Sequence, residues 1–92
     1  MDTGKIDALL SGMLDELSSI EHERWSHWQR YMHSKGTIQA DGSLVIPPEL
    51  VAKWNEQINK NFYELSETEK NSDREQVRKY LPLIANKLKA SL

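Results

Sequence analysis

The chain has 92 residues, which is enough for one domain and leaves no room for a second self-sufficient core. Its 12 basic and 14 acidic residues give a net charge of −2, which argues against nucleic-acid binding because such domains usually carry a basic excess. The absence of cysteine excludes disulfides and thiolate sites and fits a reducing compartment. With no long apolar run and no secretory signal pattern, we expect a cytoplasmic protein that does not contact a membrane.

Residues 3–34 contain one long helical pattern. Apolar side chains recur at three-and-four spacings, at Ile6, Leu9, Leu10, Met13, Leu14, Leu17 and Ile20. A continuous helix of this length would span about 45 Å, too long for a compact 92-residue monomer to cover. We therefore expect either a break near Ser18, with Ser11-Gly12 as another weak point, or packing of the first half on a second subunit.

Residues 37–46 do not continue the helical spacing of the preceding segment. Two β-prone runs flank Asp41-Gly42, a dipeptide typical of hairpin turns, so a short β-hairpin or irregular insert is predicted here. Pro47-Pro48 ends this insert, and Pro48 suits the first turn of a helix that should reach about Asn59.

The C-terminal third should hold one more helix. We expect residues 62–65 to form an extended linker, and Ser66 with Glu69 makes a capping-box pattern that predicts a helix start at about Glu67. Pro82 cannot donate a backbone hydrogen bond, so a kink or restart is expected near Leu81. The whole pattern predicts a mainly α fold, a small bundle of three to four helices with the insert at 37–46.

Signs of catalysis or of a cofactor are missing from the sequence. The four glycines are scattered, so no phosphate loop forms, and no serine lies in a recognisable nucleophile motif. His22 and His27 are five residues apart, about 140° around a helix, so one metal ion cannot take both. We therefore expect a protein that is not an enzyme and that holds no metal and no cofactor.

Aromatic and basic residues crowd two turns of the first helical segment. Arg24, Trp25, Trp28 and Tyr31 place stacking surfaces beside a guanidinium group, which suits a base and a phosphate. The alternative interpretation is that Trp28 packs with Trp54 in the core while Arg24 pairs with an acidic residue. Residues 70–89 are locally basic, and that end would either attract an anion or form a solvated helix face.

Two segments of the chain resemble the ryanodine-receptor repeat (RyR) domain. The first is the run 20–25, which contains His22, Arg24 and Trp25; the second is the run 63–74, which contains Tyr63, Leu65, Glu69, Lys70, Asp73 and Arg74. The resemblance covers residues 17–84 of a single domain spanning 1–92, with 1–16 as an N-terminal helical extension. It implies a mostly helical, free-standing domain of the bacterial or phage type, without an established activity.

The resemblance also implies roles for its matching residues. Leu65 is expected in the core, and Asp73 is expected to pair with Arg24 and so join two helices. His22, Tyr63 and Glu69 complete the structural signature. Among the matching residues, Trp25, Lys70 and Arg74 are the candidates for ligand contact. With the aromatic and basic cluster added, the expected ligand-binding residues are Arg24, Trp25, Trp28, Tyr31, Lys70 and Arg74.

Two functions are compatible with these features. The first is a binding module for a small phosphorylated or nucleotide-derived molecule, for example one that sequesters an immune signal in a phage. The second is a structural or protein-interaction module that forms a homo-oligomer through residues 6–20.

Overall fold

The computed structural model describes residues 2–92 and shows a mainly α fold, as the sequence predicted. Four helices flank one small antiparallel sheet. In chain order the elements are α1 (Thr3–Ser11), α2 (Leu14–Ser34), β1 (Thr37–Ile38), β2 (Leu44–Val45), α3 (Pro48–Ile58) and α4 (Glu67–Ala90), with a 3-10 turn at Phe62–Glu64 before α4.

The long N-terminal helical pattern breaks at Gly12-Met13, so the expected break near Ser18 is wrong. The Gly12 amide still donates to the Ala8 carbonyl oxygen at 3.0 Å, and α2 begins two residues later. Glycine inside a helix costs up to about 1 kcal/mol relative to alanine, whereas serine costs less, so the helix ends at the glycine. The side chain of Met13 is fully buried at this junction.

The hairpin forms where Asp41-Gly42 predicted it. Thr37 pairs with Val45 and Ile38 with Leu44, and Gly42 adopts a φ of 87°, a left-handed conformation that glycine tolerates without strain. The Asp41 carboxylate accepts hydrogen bonds from the Ser43 backbone amide at 2.9 Å and from its hydroxyl at 2.6 Å. These bonds lower the pKa of Asp41.

The linker before α4 differs from the prediction of an extended segment. Asn61 Oδ1 accepts from the Glu64 amide at 3.2 Å, and Glu64 Oε1 accepts from the Asn61 amide at 3.1 Å. This reciprocal pair caps the 3-10 turn as a capping box caps a helix. The sequence signal was present as Asn61-x-x-Glu64, three residues apart like Ser66 and Glu69.

Helix α4 begins at Glu67, as its capping box predicted. Ser66 Oγ accepts from the Glu69 amide at 3.2 Å, and Glu69 Oε1 accepts from the Ser66 amide at 2.9 Å. The helix then continues to Ala90 with Pro82 inside it, so the predicted restart near Leu81 does not occur. Proline lacks the backbone donor for the Arg78 carbonyl and its ring crowds that carbonyl, yet the helix is continuous on both sides of Pro82.

Three contacts hold the helices together. Tyr80 of α4 donates to Glu21 Oε2 of α2 at 2.6 Å, Gln57 of α3 donates to Glu69 of α4, and the Trp28 and Trp54 rings of α2 and α3 meet edge to face at 5.3 Å. None of the helices within residues 2–92 is long and apolar enough to cross a membrane.

The molecule is elongated. Its radius of gyration is 18.3 Å and its principal extents are 56 × 33 × 18 Å, whereas a compact chain of this length would have a radius of about 12 Å. Among residues 2–92, Met13 is the one hydrophobic side chain that is fully buried. The helices therefore leave much of their apolar surface uncovered by the chain itself.

Candidate functional site

The aromatic residues of α2 form two small groups. Trp25 stacks near His22, with ring centroids 6.0 Å apart, while Trp28 stacks on Tyr31 at 5.6 Å and meets Trp54. Trp25 is 55% exposed, and Trp28 and Tyr31 are each 41% exposed. The packing of Trp28 with Trp54 was one of the two interpretations of the sequence, and it leaves the Trp28 ring half open to solvent.

Arg24 is already paired within its own helix. Its Nε donates to Glu21 Oε2 at 3.1 Å, and its terminal nitrogen forms an ion pair with the other carboxylate oxygen. The hydrogen bonds from Arg24 and then Tyr80 lower the pKa of Glu21 from 4.5 to about 2, and the bond to Glu21 raises the pKa of Arg24. The carboxylate is therefore ionised throughout the neutral range.

The expected pairing of Arg24 with Asp73 is wrong. Glu21 lies three residues before Arg24, on the same helix face and within reach whatever the tertiary arrangement. The guanidinium group of Arg24 therefore pairs with Glu21 of its own helix. The link between α2 and α4 is made by Tyr80, a residue that the sequence did not single out.

Lys70 and Arg74 lie beside the ring of Phe62, a residue that the sequence did not single out. Arg74 Cζ lies 5.5 Å and Lys70 Nζ 6.0 Å from the centre of the Phe62 ring, within the range of cation–π attraction. Glu67 pairs with both cations, because its carboxylate oxygens lie 3.2 Å from Arg74 Nη1 and 3.6 Å from Lys70 Nζ. The hydrogen bond from Arg74 is the main cause of the lowered pKa of Glu67.

The six predicted ligand residues make their contacts in two sets, one on α2 and one on α4. Among residues 2–92, no hydrogen bond, ion pair or ring contact joins Arg24, Trp25, Trp28 and Tyr31 on α2 to Lys70 and Arg74 on α4. Each arginine is neutralised by a glutamate of its own helix.

The remaining residues of the RyR-like signature either contact other residues of the chain or lie exposed on its surface. Glu69 caps α4 and accepts from Gln57, while the Tyr63 ring packs edge to face on Phe62 at 5.4 Å and is 83% exposed. Leu65 is half-buried, so the prediction that it lies in the core is met only in part. His22 lies beside Trp25, and Asp73 is exposed on α4.

One face of α4 forms an open, largely apolar groove. Val77 and Leu81, which are 50% and 56% exposed, line a space of about 300 Å³. We call this the α4 groove; its lining is Phe62, Asp73, Arg74, Val77, Arg78 and Leu81. A second recess of about 290 Å³ lies between α3 and α4, and its lining residues, which include Lys53, Lys60 and Thr68, are all polar or charged types.

A second apolar surface lies at the junction of α1 and α2. Leu10 and Leu14 are 40% and 67% exposed beside the buried Met13. Asp7, Asp15 and Glu16 lie on the same segment and are exposed. We call these five residues, Asp7, Leu10, Leu14, Asp15 and Glu16, the N-terminal patch.

Neither surface carries the features of a metal site. No group of three His, Asp or Glu side chains within the described residues is arranged to hold a metal ion. Comparisons of the chain with protein-family models, with curated proteins and with solved structures find no match. The RyR resemblance and its boundaries at residues 17 and 84 therefore stay predictions.

Proposed function

We propose that this protein is a non-catalytic interaction module that works as a homo-oligomer, with residues 6–20 forming one side of the contact. The observation that supports this most directly is the elongated monomer with a single fully buried hydrophobic side chain. Burial of apolar surface is the main stabilising contribution to folding, and small domains have little to spare. A second chain supplies the missing burial.

The N-terminal apolar stripe divides between two roles. Ile6, Leu9, Leu17 and Ile20 are half-buried and Met13 is fully buried, so this part of the stripe packs within the chain. Leu10 and Leu14 remain exposed and are available to a partner. Met13 is excluded from the oligomer contact, although the sequence pattern had grouped it with the exposed leucines.

Sedimentation equilibrium tests the proposal. The wild-type chain should sediment as a concentration-dependent oligomer, and Leu14→Asp should shift it toward monomer, because the variant would place a charge in an apolar contact. Leu92→Asp is the matched control, since Leu92 is 91% exposed at the other end of the chain. A strictly monomeric wild-type protein, or an oligomer unaffected by Leu14→Asp, would contradict the proposal; circular dichroism would show that each variant is folded.

A second candidate function is binding of a small phosphorylated or nucleotide-like ligand. The exposure of the Trp25, Trp28 and Tyr31 rings favours it, because exposed aromatic faces stack on bases. The cations support it less, since Arg24 and Arg74 are each paired with a glutamate.

Tryptophan fluorescence against a panel of nucleotides tests this candidate. Binding should quench the emission in the wild type and raise its melting temperature, and Trp25→Phe should remove most of the quenching. Trp54→Phe is the control, because Trp54 is half-buried against Trp28. No quenching and no thermal shift at millimolar nucleotide would reject ligand binding.

A further inference from the structure

We infer that the N-terminal patch of one copy docks into the α4 groove of a second copy, and that the reciprocal contact closes a two-fold dimer. This inference rests on the proposed self-association and names the surface that residues 6–20 meet. The α4 groove was not part of the contact expected from the sequence, which involved the N-terminal helix alone.

The two surfaces carry opposite charge. The N-terminal patch carries three acids, a net of −3, whereas the α4 groove is lined by Arg74 and Arg78 together with Asp73, a net of +1. The overall charge of −2 conceals this division between the two ends of the chain. Complementary patches of this kind steer two surfaces together and disfavour wrong pairings.

A single chain does not satisfy these charges by itself. Helices α1 and α4 contact each other, yet none of the four ion pairs within residues 2–92 joins them: Glu21 and Glu56 pair on α2 and α3, and Glu67 pairs with Lys70 and Arg74 of α4 itself. The acids of the N-terminal patch form no ion pair, and neither do the cations Arg78, Lys79, Lys87 and Lys89 of α4. Both sets of charges are therefore free to pair with a second copy.

The apolar parts also correspond. Leu10 and Leu14 are exposed on either side of the break between α1 and α2, with acids near them in sequence, while Val77 and Leu81 are exposed one turn apart on α4, where Arg78 also lines the groove. The α4 groove, at about 300 Å³, provides an apolar recess for the leucines. Each copy carries both an N-terminal patch and an α4 groove. A two-fold dimer therefore makes two equivalent patch–groove contacts.

The competing arrangement is a contact between two N-terminal patches. It would bury Leu10 and Leu14 of both copies, but it would also bring Asp7, Asp15 and Glu16 of one copy against the same acids of the other. Like charges brought together in an interface oppose association. The α4 groove offers apolar contact together with opposite charge.

Salt dependence of the wild-type protein separates these arrangements. Salt screens exposed charges, with a Debye length of about 10 Å at 0.1 M and about 3 Å at 1 M. Docking into the α4 groove predicts that the dissociation constant of the dimer, measured by sedimentation equilibrium, rises severalfold between about 50 mM and about 500 mM NaCl. A constant that stays level or falls with salt, as an acid-on-acid contact requires, would overturn the inference.

Cysteine cross-linking tests the arrangement directly, since the native chain has no cysteine. Leu14→Cys and isotope-labelled Leu81→Cys would be mixed under mild oxidation, with circular dichroism as a check on folding. The disulfide between residues 14 and 81 should form in preference to the disulfide between two copies of residue 14. Leu14→Cys mixed with Leu92→Cys is the matched control and should give little product.

The outcomes distinguish this inference from the proposed function. A wild-type chain that sediments as a monomer would reject both. An oligomer in which residue 14 links to itself in preference to residue 81 would reject docking into the α4 groove and leave self-association standing. An oligomer that weakens with salt and links residue 14 to residue 81 would support both.

Discussion

Glu21 is the side chain through which the two longest helices are joined. It accepts hydrogen bonds from Arg24 on its own helix and from Tyr80 on α4, and these donors keep it ionised. Arg24 was visible in the sequence because it lies beside two tryptophans. Tyr80 was not, because its partner is 59 residues away along the chain and no local pattern connects them.

The lowered pKa of Glu21 predicts a stability that depends on pH. Because folding lowers this pKa from 4.5 to about 2, the ionised carboxylate stabilises the fold above pH 4.5, and the contribution is lost as the pH falls toward 2. Glu21→Gln should therefore lower the free energy of unfolding at pH 7, and the difference from wild type should vanish near pH 2.

Urea titrations followed by circular dichroism at several pH values would measure this effect. Glu23→Gln is the matched control, because Glu23 is exposed and forms no ion pair among the described residues. A difference for Glu21→Gln that is as large at pH 2 as at pH 7 would show that the carboxylate charge is not its cause.

Met13 should be the most sensitive single position in the core. It is fully buried where α1 meets α2, so Met13→Ala would leave a cavity and should cost about 2–5 kcal/mol in urea unfolding. Leu92→Ala is the control at a residue that is 91% exposed, and it should change stability by less than about 0.5 kcal/mol. Equal effects of the two substitutions would mean that Met13 is not a core residue.

At the scale of elements, local signals located most boundaries. The capping box at Ser66 and Glu69 starts α4, Pro48 starts α3, and Asp41-Gly42 turns the hairpin, each through contacts within three residues. The errors were the break near Ser18, the restart near Leu81 and the extended linker at residues 62–65, where the structure has a 3-10 turn. The N-terminal pattern breaks instead beside the other weak point, Ser11-Gly12, where glycine has the lower helix propensity.

The N-terminal cap of α4 can be tested with a control substitution in the same helix. Ser66→Ala removes the side-chain acceptor of the Glu69 amide and should cost about 1 kcal/mol in urea unfolding. Ser72→Ala lies inside the same helix and is exposed, so it should be neutral or stabilising by up to about 0.5 kcal/mol. Effects of the same sign and size would contradict the assignment of the helix start.

At the scale of the whole molecule, the elongated shape and the exposed apolar surfaces link stability to association. If association supplies burial that the monomer lacks, the folded chains are stabilised by mass action. The melting temperature should therefore rise over about a hundredfold increase in protein concentration. Differential scanning calorimetry would measure the rise, and Leu14→Asp should flatten it; a concentration-independent wild type would argue that the chain folds and works alone.

The sequence by itself determined the helical class, the hairpin and the caps, because these depend on spacings and on contacts within a few residues. It also indicated which residues are chemically distinctive, including the tryptophans and arginines of the expected ligand site. Only the tertiary structure decided that Tyr80 of α4 donates to Glu21 of α2, and that Lys70 and Arg74 surround Phe62. The physical reason is that periodicity shows which faces are apolar, whereas the packing of distant segments decides which of those faces stay exposed.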